Sequence, residues 1–211
     1  MILFDFDGTL ADSIGLGFDL VNSHADKFGY TPVERERGME MSALEIMKEA
    51  HISVFKLPRL VLYFKKLFAE NSDKIKMING AGQLLSKLKA DGHKLGILTT
   101  NSADCVSDFI KKNNLDDYFT YIKTDVAMFG KIKALKQAKK QLKTDFIYVG
   151  DELRDVEACK FLNIPIVSVP YGFNSAKVLE KKNPGLVAGN YDEAYKLVCS
   201  LLKHGHNDID Q

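Results

Sequence analysis

Two aspartates end the first apolar run of the chain, where a strand would place them close together. The run covers residues 1–4, and Asp5, Asp7 and Gly8 stop it abruptly. Because side chains alternate along a strand, Asp5 and Asp7 point the same way if the strand geometry continues, with Phe6 turned into the core. Two like charges repel unless a cation, a shared proton or phosphoryl-transfer chemistry uses them. The pair therefore predicts a site of metal or acid–base chemistry.

The same segment, DFDG, has two other interpretations. It begins like a calcium-binding loop, but that loop needs a glycine and a glutamate where this chain has Leu10 and Leu16. The calcium loop is therefore excluded. The second interpretation is a simple turn in which Asp7 caps the following helix, and the segment by itself leaves that possibility open.

Polar residues also follow two later apolar runs. The three clusters that end an apolar run are Asp5-Phe6-Asp7, Thr100-Asn101 and Gly150-Asp151. Asp155 lies one helical turn after the last of them, and Lys131 stands where a helical pattern begins. In parallel sheets, sites form beyond the carboxyl ends of the strands. We therefore expect all of these residues to face one cleft.

The residue types in this cleft suit a phosphate site. Asp5, Asp151 and Asp155 offer the hard oxygen ligands that Mg²⁺ prefers beside waters and a substrate phosphate. With Asp5 held ionised, Asp7 can stay partly protonated, so the pair separates into a nucleophile and an acid–base group. The groups expected to hold phosphoryl oxygens are the Thr100 hydroxyl, the turn amides at Asp7 and Gly8, and the Lys131 ammonium.

The rest of the chain predicts the scaffold for these residues. From residue 79 onward, helical patterns alternate with apolar runs at 94–98, 118–122, 146–149 and 164–169. Strands separated by helices indicate right-handed crossovers and a parallel sheet covered on both faces. The sequence thus predicts an α/β fold, a three-layer doubly wound (Rossmann-like) parallel sheet. We assign residues 1–11 and 79–211 to this catalytic core.

Residues 12–78, which we call the helical insertion, show a different pattern. Helical periodicity covers 11–29, 42–50 and 57–70, without a convincing strand. Arg35 and Arg37 lie in a polar link, where they are either solvated or able to meet a substrate carboxylate. At the other end of the chain, the polar tail 204–211 is predicted to be loose, and its His204 and His206 are not expected to form a metal site.

The composition excludes several functional classes. Lysine and arginine number 29 against 28 aspartates and glutamates, so the net charge of +1 favours neither nucleic acid nor a membrane surface as a partner. No apolar run predicts a membrane span or a secretory signal. Cys105, Cys159 and Cys199 match no metal spacing, so we expect reduced thiols and a cytoplasmic protein. No sequence feature indicates an oligomeric state.

The ordered set DFDGTL, LTTN, GK and GDELRD resembles the four motifs of the haloacid dehalogenase superfamily of aspartate-nucleophile phosphatases. The resemblance covers essentially the whole chain. It is closest to the phosphoglycolate-phosphatase-like branch, where a helical cap is inserted after the first motif, as in residues 12–78. GFNS at 172–175 is also similar to a loop of that branch. Two positions differ or are ambiguous: Ile132 replaces a common proline, and Thr99 precedes Thr100, which we choose because Asn101 follows it.

The resemblance implies a role for each of these residues. Asp5 is expected to attack phosphorus and form an aspartyl phosphate, while Asp7 protonates the leaving oxygen and then activates water. The implied Mg²⁺ ligands are Asp5, the backbone carbonyl of Asp7, Asp151 and, through water or from one shell further out, Asp155. The implied phosphate-binding residues are Thr100 and Lys131, with Gly8 and Asn101 beside them.

These expectations combine into one functional hypothesis. The sequence predicts a Mg²⁺-dependent phosphatase that acts on a small soluble phosphomonoester, with phosphoglycolate as the first candidate by resemblance. Its expected partner is that small-molecule phosphate ester, with no nucleic acid and no membrane. One alternative is a sugar phosphomutase, which would use the same aspartyl phosphate. Another is a non-catalytic binding protein of the same fold.

Overall fold

The structure is a computed structural model that describes the backbone of residues 1–207 and the side chains of residues 1–203. Its strands are β1 (Ile2–Phe4), β2 (Ala11–Asp12), β3 (Lys76–Met77), β4 (Leu95–Leu98), β5 (Phe119–Lys123), β6 (Ile147–Gly150) and β7 (Ile166–Ser168). Its first α-helices are α1 (Ile14–Ser23), α2 (Ala25–Phe28), α3 (Arg35–Gly38), α4 (Ala43–Glu49) and α5 (Leu57–Ala69). The later ones are α6 (Ala81–Ala90), α7 (Ala103–Lys112), α8 (Lys131–Leu142), α9 (Leu153–Phe161), α10 (Ala176–Lys182) and α11 (Tyr191–Asn207).

Five strands form one parallel sheet in the order β5-β4-β1-β6-β7. The central strand β1 is parallel to both neighbours, with Ile2 opposite Leu95 on β4 and Ile147 on β6. Strand order runs outward from β1 in both directions, so the topological switch point lies at β1. The predicted parallel, doubly wound sheet is confirmed. Its carboxyl ends share one edge, and the polar clusters follow those ends.

Each face of the sheet carries its own hydrophobic cluster. Ile2 and Phe4 belong to the cluster that α6, α7 and α11 cover, whereas Leu3 belongs to the one that α8, α9 and α10 cover. This alternation follows from the period of two along a strand. Phe6 is fully buried and meets Phe109 edge-to-face at 4.9 Å between ring centroids, so its predicted inward orientation is confirmed. The predicted three layers are also confirmed.

The helical insertion contains α1 to α5 and a short 3₁₀ turn, Ser72–Lys74. The prediction that it lacks strands is wrong, because β3 pairs antiparallel with β2, Ala11 opposite Met77. Two-residue strands are too short to give a periodic signal. The predicted continuous helix over 11–29 is also wrong, since it is divided at His24 into α1 and α2. The paired strands place both ends of the insertion beside the core.

The last helix extends further than predicted. α11 reaches Asn207 and so includes the first part of the tail predicted to be loose. Residues 208–211 and the side chains of His204 and His206 lie outside the described residues. Within the described part of the chain, no helix combines the length and apolar character needed to cross a membrane.

Candidate active site

A tight turn after β1 positions the first two aspartates. The Asp5 amide donates to the Val149 carbonyl at 2.8 Å, which continues the sheet by one residue. The carbonyl of Phe6 then accepts from the amides of Leu10, at 2.8 Å, and Ala11, at 2.9 Å. Gly8 adopts φ +71°, a left-handed conformation that glycine tolerates without strain. The Gly8 amide donates to Ala11 within this turn, at 2.8 Å. Its contact with a phosphoryl oxygen stays a prediction.

Three carboxylates meet below this turn. Asp5, Asp151 and Asp155 each offer an oxygen within 4.8 Å of the others. Asp5 is 5% exposed, and the other two are fully buried. The three come from the ends of β1 and β6 and from the first turn of α9. The structure therefore brings these three predicted carboxylates together, and their role as metal ligands stays a prediction.

Asp151 is held on both carboxylate oxygens. Its Oδ1 accepts from the Thr9 hydroxyl at 2.8 Å, and its Oδ2 accepts from the Phe173 amide at 2.7 Å. Two glycines leave room for it, because a Cβ on Gly8 would lie 2.4 Å from Oδ2 and one on Gly172 would lie 1.9 Å away. Asp151 is therefore packed tightly against both glycines.

Asp155 is the group that tests whether the cluster suits a cation. Its Oδ1 lies 2.8 Å from the Lys131 ammonium, yet among the described residues neither of its buried oxygens has a hydrogen bond of good geometry. Burial raises the pKa of Asp155 and of Asp151, and the Asp5 carboxylate raises both further. Three carboxylates facing one ammonium leave excess negative charge, which a divalent cation with oxygen preference would balance. The residues present fit Mg²⁺.

Lys131, the first residue of α8, is buried among these carboxylates. Its ammonium donates to Asp5 Oδ2 and to the Tyr148 hydroxyl, both at 2.8 Å. Burial lowers the pKa of Lys131, but the Asp155 and Asp5 carboxylates more than offset this and the pKa ends above its ordinary value. The lysine is therefore a fixed positive charge and is not a proton donor at neutral pH.

Tyr148 is a contributor that the sequence analysis missed. The hydroxyl of this buried tyrosine accepts from Lys131 and donates to the Leu98 carbonyl at 3.1 Å. In the sequence, Tyr148 belongs to the apolar run FIYV, which predicts only a buried strand. The available signal was the hydroxyl itself, because a buried tyrosine O–H requires a polar partner.

Asp7 lies beside the buried carboxylates but is half-buried. It accepts from the Ser13 hydroxyl at 2.6 Å and from the Asn101 side-chain amide at 3.1 Å. Burial raises the pKa of Asp7 to about 6, with a further increase from Asp5, while the bonds from Ser13 and Asn101 act in the opposite direction. Ser13, which the sequence analysis missed, is also the N-cap of α1, so the alternative in which Asp7 caps that helix is wrong.

The two adjacent threonines have different surroundings. Thr99 is fully buried, and its hydroxyl accepts from the Asn101 amide at 3.0 Å. Thr100 is half-buried and lines the cavity above Asp7. This placement supports the choice of Thr100 as the phosphate-binding hydroxyl, which stays a prediction.

A family model described as haloacid dehalogenase-like hydrolase matches residues 2–169. The chain belongs to this family. Over 208 residues it is 28% identical to the phosphoglycolate phosphatase of Synechococcus elongatus, covering 96% of this chain and 98% of that protein. It is also 23% identical over 207 residues to the tyrosine-protein kinase PtkA of Mycobacterium tuberculosis, covering 92% of this chain and 70% of that one.

The crystal structure of a predicted phosphatase from Clostridium acetobutylicum superposes with a TM-score of 0.77. The two chains are 24% identical, and the match covers 96% of this chain and 97% of that one. This likeness confirms the predicted fold. The family match and the phosphatase relatives also confirm the predicted enzyme class, a phosphatase-type hydrolase.

The loop GFNS at 172–175 connects the hydrolase core to the helical insertion. Asn174 is buried, and its Oδ1 accepts from the Leu153 amide at the start of α9, at 2.8 Å. Its side-chain amide donates to the carbonyls of Met39, at 3.2 Å, and Met41, at 3.0 Å. Since the Phe173 amide binds Asp151, one loop touches both the carboxylate cluster and the insertion.

A cavity of about 380 Å³ opens above Asp7 between the hydrolase core and the helical insertion. Neither Arg35 nor Arg37 belongs to its lining. Both arginines are exposed, and Arg37 pairs with Glu49. Of the two interpretations open for these arginines, the structure favours solvation.

Proposed function

We propose that the protein is a Mg²⁺-dependent phosphatase that hydrolyses a small phosphomonoester through an aspartyl phosphate on Asp5. The observation that carries this proposal is the buried cluster of Asp5, Asp151 and Asp155 around Lys131. Such a cluster costs folding free energy unless its charges are used, because burying like charges is unfavourable. Its position at the switch point of a parallel sheet supports a catalytic use.

Asp5 is the proposed nucleophile. The Phe6 amide, donating to Oδ1 at 2.9 Å, and the Lys131 ammonium, donating to Oδ2, fix the orientation of its carboxylate. An oxygen of Asp5 forms a bond to phosphorus while the phosphorus–ester oxygen bond breaks and its electron pair stays on the leaving oxygen. Asp7 gives that oxygen a proton, so the alcohol departs neutral.

The second half of the reaction reverses the role of Asp7. Asp7, now ionised, takes a proton from water, and the water oxygen attacks the phosphorus of the aspartyl phosphate. The bond to Asp5 breaks, inorganic phosphate leaves and the carboxylate is restored. A pKa of about 6 suits both roles, because each protonation state is populated near neutral pH.

Other residues are proposed to hold the phosphoryl group and the metal. Lys131 and the Thr100 hydroxyl, with Asn101 beside them, would neutralise or orient phosphoryl oxygens. The proposed Mg²⁺ ligands are the carboxylates of Asp5 and Asp151 and the carbonyl of Asp7, with Asp155 acting through water or from one shell further out. When bound, Mg²⁺ would supply positive charge to the phosphoryl oxygens and to the carboxylate cluster.

The helical insertion, residues 12–78, is proposed to act as a cap over the core formed by residues 1–11 and 79–211. Its two connections to the core pass through the short β2–β3 pair. A pair of two-residue strands is a suitable place for a small change of angle between two bodies. Such a cap would exclude water from Asp5 during the first step.

A phosphate-release screen tests this proposal. Small phosphomonoesters, including phosphoglycolate and p-nitrophenyl phosphate, are assayed with Mg²⁺ and with a chelator. Asp5→Asn serves as the inactive variant. Asp12→Asn is the matched control, because Asp12 is an exposed aspartate a few residues away on β2.

We expect chelation to abolish activity and Asp5→Asn to lower kcat by at least about 10⁴-fold, the scale for removing a covalent nucleophile. Full activity in folded Asp5→Asn would refute the mechanism. Isomerisation of a hexose phosphate faster than phosphate release would indicate a phosphomutase. Bound Mg²⁺ without turnover of any ester would indicate a binding protein.

A further inference from the structure

The wall of the cavity above Asp7 is mostly apolar. Most of its lining comes from the helical insertion and is aliphatic or aromatic, including Phe18, Val21, Ile46, Leu60, Val61 and Phe64. Polar lining groups concentrate where the cavity meets the core, at Asp7, Ser13, Thr100 and Asn101. A phosphoryl group held at Asp5 would therefore direct its alcohol portion toward the apolar wall.

The two cationic side chains of the lining already have partners. Lys65 donates to Asp125 at 3.1 Å. Arg154 binds the Glu152 carboxylate with two nitrogens and donates to the Met128 carbonyl at 2.6 Å. The described residues of the lining therefore include no unpaired positive charge that could bind a second anionic group of the substrate. A substrate carboxylate would lose its water in this cavity without a compensating partner.

The size of the cavity leads to the same conclusion. Its volume of about 380 Å³ falls in the range of sites that hold ligands much larger than a two-carbon acid. A glycolate group would leave most of the apolar wall facing water. An alkyl or aryl group of six or more carbons would cover it.

We propose that the cavity binds the alcohol portion of the substrate and that this portion is apolar, an alkyl or aryl group of about six carbons or more. The proposal rests on the phosphatase function proposed above and specifies its substrate class. Phosphoglycolate, the first candidate from sequence resemblance, is then a poor substrate, because its carboxylate would enter this apolar cavity.

A series of n-alkyl phosphates tests the proposal, because ethyl, butyl and hexyl phosphate share the same leaving-group chemistry. We expect kcat/KM to rise roughly fourfold per methylene, the effect of burying one methylene. We also expect phosphoglycolate to fall below butyl phosphate. Higher kcat/KM for phosphoglycolate than for hexyl phosphate would overturn the apolar assignment and leave the phosphatase proposal intact.

Two neighbouring residues of α5 provide a matched pair of variants. Val61 lines the cavity, whereas Leu62 is 71% exposed on the same helix. We expect Val61→Lys to lower the hexyl-to-ethyl ratio of kcat/KM at least tenfold and to raise the relative activity on phosphoglycolate. Leu62→Lys should leave both ratios unchanged. Equal ratios in the two variants would contradict the assignment of the cavity.

A milder pair of variants covers the case in which a lysine at position 61 prevents folding. Val61→Thr keeps the side-chain shape and adds a hydroxyl, and Val54→Thr makes the same change at a residue that is 64% exposed. The hexyl-to-ethyl ratio should fall several-fold in Val61→Thr alone. An unchanged ratio in Val61→Thr would count against the cavity as the alkyl site.

Binding of alkyl phosphonates separates the two proposals, because it requires no turnover. In the presence of Mg²⁺, calorimetric titration should show that hexylphosphonate binds more tightly than ethylphosphonate. Val61→Lys should abolish this difference in affinity. Chain-length-dependent binding without hydrolysis of any ester would refute the phosphatase function and support the apolar site. Equal affinity for both phosphonates would overturn the apolar site whether or not esters are hydrolysed.

Discussion

The carboxylate cluster and the cavity beside it are built in opposite ways. The cluster is densely packed, with Asp151 and Asp155 fully buried and both Gly8 and Gly172 packed against the Asp151 carboxylate. The cavity wall is loosely packed, since α1 has no fully buried residue and α5 has only Leu60. By contrast, α6 and α7 of the core each bury four residues.

The tightly packed cluster suits the chemical step, and the loosely packed cavity wall suits recognition of the alcohol portion. Attack on phosphorus requires charges fixed to within a fraction of an ångström, and the surrounding packing supplies that rigidity. Contact with an apolar alcohol portion requires area and tolerates movement, because the hydrophobic effect is non-directional. Single substitutions should therefore change the rate by larger factors in the cluster than they change selectivity in the insertion.

After loss of the Asp5 nucleophile, the largest effect should follow from removing the buried positive charge of Lys131. We expect Lys131→Met to lower kcat by roughly 10²–10³, the scale for one preorganised charge stabiliser. Steady-state kinetics with saturating Mg²⁺ measures it, and thermal unfolding verifies the fold. Lys133→Met, an exposed position on the same helix, should retain full activity. If both variants behaved alike, Lys131 would have no role in the reaction.

A pair of glycine substitutions compares the packing of the two regions directly. In Gly172→Ala the new Cβ would lie 1.9 Å from Asp151 Oδ2, so the carboxylate must move and lose its bond from the Phe173 amide. We expect a 10–100-fold loss of Mg²⁺ affinity, the usual effect of disturbing the group that orients a metal ligand. Titration of activity with Mg²⁺ measures this loss.

Gly17→Ala is the counterpart in the helical insertion. The nearest atom to its new Cβ would be Phe68 Cε2 at 3.8 Å, an ordinary contact distance. Because alanine favours helix over glycine by about 1 kcal/mol, we expect α1 and the whole protein to become slightly more stable. A loss of stability in chemical denaturation would show that the insertion is packed as tightly as the cluster.

The sequence was most informative where chemistry depends on strand ends. Asp5, Asp151 and Asp155 could be grouped in advance, because parallel strands bring their carboxyl ends to one edge. The partners that orient these groups were not predictable. Thr9 binds Asp151 across 142 residues, and Asn174 reaches Met39 across 135, so no local pattern contains either contact.

The fold shows the same limit at short elements. The five-stranded sheet followed from long alternating patterns, whereas β2, β3 and α3 have two to four residues and give no periodic signal. The break at His24 interrupts a pattern that continues through it in the sequence. The cavity depends on how α1, α4 and α5 are spaced, and helical periodicity contains no information about that spacing.

A smaller effect is expected at Tyr148, which contacts Lys131 and not the reacting atoms. Tyr148→Phe removes a hydroxyl that accepts from Lys131 and donates to Leu98. We expect a stability loss of about 1–3 kcal/mol, because buried polar groups lose a partner, and a decrease in kcat well below that of Lys131→Met. Tyr121→Phe, whose hydroxyl bonds to the exposed Gln141, should change stability by less than about 0.5 kcal/mol.

The smallest effect should come from the ion pair that links the helical insertion to the core. Lys65 on α5 and Asp125 of the core lie 3.1 Å apart, with 35% and 55% of their side chains exposed. A double-mutant cycle with Lys65→Met and Asp125→Asn should give a coupling below about 1 kcal/mol that falls with added salt. Asparagine suits position 125 because it tolerates the φ of +55° found there. The insertion would then depend mainly on contacts other than this ion pair, among them its hydrogen bonds to Asn174. A coupling above 2 kcal/mol that persists in salt would mean that charge, rather than the Asn174 loop, holds the insertion over the site.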